Sequence, residues 1–65
     1  MAVTYNKLFT LLEKRNITTA QLQRMAGYSA NITTRLKGNV YISMDSLEKI
    51  CKTLNCDVND IIDFI

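Results

Sequence analysis

Apolar residues return every three or four positions along most of this chain, and their stripes predict five helical segments. The first covers about Thr4 to Arg15, where Tyr5, Leu8, Phe9 and Leu12 share one face, Leu11 widens it and Asn16 supplies the C-terminal cap. A second stripe, Leu22, Met25 and Ala26, follows Thr18 and leaves Gln23 and Arg24 pointing outward. Ser29 opens a third segment that ends at Gly38 or Asn39, residue types suited to the left-handed conformation that closes many helices. The loop Asn39–Ile42 leads to a fourth, capped by Ser43, with Leu47, Ile50, Cys51 and Leu54 inward and Asn55 at its end. The fifth starts at Asp57 and turns Val58, Ile61, Ile62 and Ile65 to the core, leaving Phe64 exposed. No alternating pattern is long enough to predict a strand.

The helix starts carry matching chemistry. Thr18 can accept a hydrogen bond from an orphan backbone N–H, and Gln21 can reach back to complete a capping box. Ile17 with Leu22, Ile42 with Leu47, and Cys56 with Ile61 repeat the spacing of a hydrophobic staple. Asp57 and Asp60 complement the positive end of the last helix. Ser29 stands eleven residues after Thr18, with Gly27 between them. Ile17–Gly38 therefore predicts a short helix, a tight turn and a second short helix, an arrangement that can present a helix to the major groove of DNA.

Sixty-five residues predict a single domain, 1–65, too small for a second core or a separate effector module. A hydrophobic content of 48% without proline favours a packed helical chain over a disordered one. No unbroken apolar run exceeds three residues, so none predicts a membrane span, and the N-terminus lacks the apolar stretch of a signal peptide. A cytoplasmic location is expected, and with it reduced Cys51 and Cys56 buried on apolar faces. Their spacing is not that of a zinc site, and there is no histidine to complete one, so neither metal nor cofactor is expected.

Charge changes the picture more than composition does. Residues 1–40 hold Lys7, Lys14, Arg15, Arg24, Arg35 and Lys37 against Glu13 alone, 6 − 1 = +5, whereas residues 41–65 hold two lysines against five carboxylates, 2 − 5 = −3. The two-helix segment lies in the basic half, as a footprint for a polyanion would. Catalysis is poorly supplied: there is no histidine to act as a base near neutral pH, and two glycines make no phosphate-cradling loop. An enzyme is not expected.

Reading DNA is better supplied. With Ser29 as cap, Ala30, Asn31 and Ile32 form the first turn of the third helix, the part that approaches base edges. Asn31 suits adenine and Arg35 suits guanine, each bidentate; Thr34 can hydrogen-bond either or meet a thymine methyl, and Ala30 permits close approach. Arg35 and Lys37 can instead neutralise phosphates, and Thr18 and Ser29 place hydroxyls and N–H groups where a phosphate could be held. Tyr28 and Tyr41 each fit either packing or a phosphate hydrogen bond.

Thr18–Thr19, Leu22, Ala26–Gly27, Ser29, Leu36, Ser43 and the segment LEKICKTLNCDVNDII, in that order and spacing, resemble the Cro/C1-type (XRE-like) helix-turn-helix family of phage and bacterial regulators. The opening YNKLFTLLEKRNIT resembles the first helix of a compact subgroup of that family. The resemblance covers nearly the whole chain and implies an all-α, five-helix, lambda-repressor-like DNA-binding domain. Within it, Thr18 to Ala26 is the supporting helix and Ala30 to Lys37 the recognition helix. It implies base reading by Ala30, Asn31 and Arg35 and backbone contacts from Lys37, Asn39 and Tyr41. Thr19 stands where the family often has a phosphate-anchoring glutamine.

Two departures matter. Thr33 stands where the family buries an aliphatic residue, so either Thr33 is buried with its hydroxyl bonded back to its own helix, or the helix rotates to bury Ile32. Gln23 replaces a small alanine beside Leu22. The expected function is sequence-specific binding of double-stranded DNA in transcriptional regulation, with no small-molecule effector evident. A homodimer through the C-terminal segment would set two recognition helices about 34 Å apart. The alternative from another class is a protein-interaction module on the same fold, an antitoxin or adaptor.

Overall fold

A computed structural model describes residues 2–65. Among them run four α-helices: α1 (Asn6–Lys14), α2 (Thr19–Ala26), α3 (Ala30–Lys37) and α4 (Met44–Leu54). A single 3₁₀ turn covers Val58–Asp60, and two short strands, β1 (Val3–Thr4) and β2 (Asp63–Phe64), pair antiparallel. The class is all-α with four helices, so the expected count of five is corrected.

The fifth helix stops after a single turn because its last residues pair with the distant N-terminal strand. Asp60 does accept the Asp57 N–H at 3.0 Å, as its helix-start chemistry requires, but Ile62 N–H already bonds Val58 O as the turn ends. The last residues then find backbone partners elsewhere: Val3 faces Phe64, Thr4 faces Asp63, and Ala2 and Ile65 exchange N–H···O bonds of 3.2 and 2.9 Å. So few residues make a marginal helix on their own, and pairing with β1 satisfies their backbone better. The same pairing takes Thr4 out of the first helix, which begins at Asn6.

Helix ends follow the sequence more closely. Thr18 and Gln21 form the capping box, with bonds of 3.1 and 2.8 Å, and Ser43 accepts the Ser46 N–H at 3.2 Å. Ser29 occupies the cap position of α3 but its side chain makes no capping bond. After each of the four helices one residue takes the left-handed conformation: Asn16 (φ 56°), Gly27 (φ 78°), Asn39 (φ 55°) and Asn55 (φ 54°). At Gly27 a Cβ would meet nothing, so the positive φ, not crowding, is what favours glycine there.

The core joins Val3, Tyr5, Leu8 and Leu12 to Leu22, Leu36 and the inner face of α4, with Ile61 closing it from the C-terminal side. α2 packs on both α3 and α4. Three apolar residues expected inside are not: Met25 is 57% exposed, Val58 44% and Ile65 77%. On α2, at about 100° per residue, Leu22, Ala26, Thr19 and Gln23 occupy one continuous arc, and Met25 falls outside it. Gln23, expected to point outward, is half-buried. No helix of the described residues is long and apolar enough to cross a membrane.

Candidate nucleic-acid interface

α3 presents an inner and an outer arc. Leu36 is buried, and Ile32 and Thr33 flank it, both half-buried. Ala30, Asn31, Thr34, Arg35 and Lys37 are all exposed, and at about 100° per residue they share the opposite side. The polar side of the helix is therefore open along its length. Thr34 Oγ1 donates back to Ala30 O at 3.2 Å, which commits its proton and leaves its lone pairs outward. Arg35 Nη1 donates to Tyr41 O at 3.3 Å, tying the loop after α3 to the helix. A groove of about 370 Å³ opens beside Arg35, lined by Ser29, Asn31, Ile32, Arg35, Ile42 and Ser43.

Neither of the two expected alternatives for Ile32 and Thr33 holds as stated. Ile32 packs against the core without being fully buried, so as a base reader it stands on the flank. The Thr33 hydroxyl does not bond back to its own helix; it donates to Gln23 Oε1 on α2 at 3.0 Å. The two departures from the family pattern are thus partners, ten residues apart across the turn. Two polar residues at those places were the signal in the sequence, although read there separately.

Of the phosphate candidates, Thr18, Ser29, Lys37, Asn39 and Tyr41 are exposed and Thr19 is half-buried. Asn39 has a second task, since its Oδ1 accepts the Tyr5 N–H at 3.2 Å at the start of α1. Tyr28 resolves to packing: it is 8% exposed and its hydroxyl is buried, out of reach of a phosphate in this conformation. Burial pushes that phenol up, and the nearby Thr33 hydroxyl offsets part of the rise. Tyr5 is likewise raised by burial, and its hydroxyl donates to Val40 O at 2.7 Å.

The basic half of the sequence is not one basic face. Lys7, Lys14 and Arg15 line a separate cleft of about 550 Å³ against Asn55, Cys56 and Asp60, with no residue from α2 or α3. Lys7 Nζ lies 3.5 Å from Asp63 and donates to Asn59 O at 3.2 Å, and Arg15 donates to Leu54 O. Residues 16–43 keep Arg24, Arg35 and Lys37 and contain no carboxylate, 3 − 0 = +3. Cys51 and Cys56 are half-buried free thiols, both raised chiefly by burial, and no group of three metal-ligating side chains exists among the described residues.

Comparison with known proteins agrees with this geometry. No curated protein matches the chain. Among solved structures, the crystal structure of the transcriptional regulator VanUg (Form II) is similar at 39% identity and a TM-score of 0.92, covering 95% of this chain and 83% of that one. The model of the Cro/C1-type HTH DNA-binding domain matches residues 7–65, and with that match over nearly its whole length this chain belongs to the Cro/C1-type helix-turn-helix family.

Proposed function

We propose that this protein, as one Cro/C1-type domain spanning residues 1–65, is a sequence-specific transcriptional regulator that reads the major groove of double-stranded DNA with α3. The observation that carries this reading is the open polar arc of α3, backed by α2 and belonging to a segment with three cations and no carboxylate. Asn31 and Arg35 read bases, Ala30 and Thr34 fit the helix against them, and Ile32 borders the contact. Lys37 and Tyr41, with the helix-start groups at Thr18, Thr19 and Ser29, hold phosphates, and Asn39 supports the loop between them. Such contacts would give affinity that falls steeply with salt.

The unit binds as a homodimer through its C-terminal ladder, where Phe64 is 65% exposed beside the exposed Ile65. A twofold pair would place two recognition helices one DNA turn apart.

Selection from random duplexes with the purified chain tests the reading. A defined, twofold-related preference is expected, and Asn31→Ala should relax it at one base pair and weaken binding by about 1–3 kcal/mol. No preference over random duplex, at any salt, would favour a protein-interaction module instead. Sedimentation that shows only monomer at high concentration, free and on DNA, would remove the dimer.

A further inference from the structure

We propose that Gln23 and Thr33 are positioning residues: the hydrogen bond between them fixes the rotation of α3 about its own axis, and so decides which of its side chains meet base edges. This rests on α3 being the reading helix and goes beyond it, because neither residue is assigned a DNA contact.

The inner arc of α3 is divided. At about 100° per residue, Ile32 lies some 40° to one side of Leu36 and Thr33 some 60° to the other. Both are half-buried while Leu36 is fully inside, so the helix sits between the two orientations that would bury one flank completely. Apolar burial is non-directional and tolerates rotation, whereas a hydrogen bond does not. The bond of 3.0 Å from Thr33 Oγ1 to Gln23 Oε1 is the one directional tie from this flank to α2 among the described residues.

Tyr28 supplies no competing tie: its hydroxyl is buried and without a hydrogen-bond partner among the described residues.

Without the tie, burial of Ile32 would turn α3 toward its side. That motion carries Arg35 toward the protein and Lys37 away from it. The substitutions Thr33→Val, Thr33→Ser and Gln23→Ala, with the Thr33→Val/Gln23→Ala double variant, test the proposal in the full chain by random-duplex selection. Binding to a random duplex at one fixed salt, and circular dichroism, serve as controls.

Thr33→Val and Gln23→Ala should each change preference at two or more neighbouring base pairs, with random-duplex affinity kept within about twofold. The double variant should change it no further than either alone, and Thr33→Ser should keep the wild-type preference. Folded Thr33→Val or Gln23→Ala with the wild-type preference would overturn the proposal, as would additive effects in the double variant. If Thr33→Val does not fold, Gln23→Ala against Thr33→Ser decides by the same criteria. Failure of the wild-type chain to prefer any sequence would instead overturn the DNA reading itself.

Discussion

Lys7 of α1 and Arg15 just after it, and Arg35 and Lys37 of α3, are surface cations from the same half of the chain, yet they end in different surroundings. The first two are drawn to the C-terminal segment, Lys7 to Asp63 and the Asn59 carbonyl, Arg15 to the Leu54 carbonyl at the end of α4. The other two stand on a helix within residues 16–43, a segment without a carboxylate, and of the two only Arg35 has a protein acceptor among the described residues, Tyr41 O. One region spends its cations closing the fold; the other keeps them available to a polyanion. A charge count along the sequence therefore overstates the basic footprint, because it cannot tell which cations the fold will occupy.

The largest test of this contrast is structural. Ile61 is fully buried although it follows a 3₁₀ turn and not a helix, so Ile61→Ala should cost about 2–5 kcal/mol in urea unfolding, as a core leucine such as Leu36 would. A cost below about 1 kcal/mol would mean that the C-terminal closure contributes little to the fold.

Arg35→Ala sharpens the comparison from the other side. Binding should weaken by about 1–3 kcal/mol with lost preference at one base pair, while stability stays within about 0.5 kcal/mol. Next comes Arg15→Ala, whose exposed side chain caps α4: a loss of about 0.3–1 kcal/mol in stability is expected, with DNA affinity and its salt slope unchanged. A fall in the salt slope for Arg15→Ala would return that residue to the footprint.

The smallest effect concerns pH. Cys51 and Cys56 are raised above the ordinary thiol range, first by burial. The folded state then holds its thiol protons where the unfolded chain releases them. Stability should be fully present below about pH 8.5, the unfolded thiol value, and decline above it. Tyr5 and Tyr28, raised in the same sense, extend the decline beyond about pH 10. A Cys51→Ala/Cys56→Ala variant should lose the first part of that slope in pH-dependent thermal unfolding.

Much of the architecture was legible in the residues because it is local. The Thr18–Gln21 box, the Ser43 cap, the turn at Gly27 and the asparagines that close α1, α3 and α4 each depend on neighbours within a few positions. The outer arc of α3 follows from helical spacing once the structure places Leu36 inward. What spacing could not supply was the partner across space. Met25 looked inward because it lies three residues from Leu22, but the packing of α2 between α3 and α4 set the buried arc on the Gln23 side. The C-terminal apolar residues looked helical because β1 is distant in sequence.

By itself, then, the sequence determined the Thr18 and Ser43 caps, the residues that close the four helices and the helix-turn-helix, since capping and periodicity act over a turn or two of backbone. Tertiary structure alone decided that Thr33 bonds Gln23, that Tyr28 lies in the core, that Lys7 and Arg15 are engaged and that the last residues pair with Val3 and Thr4. Those outcomes depend on which surfaces meet, and residues far apart in the chain have no local signal of their eventual neighbours.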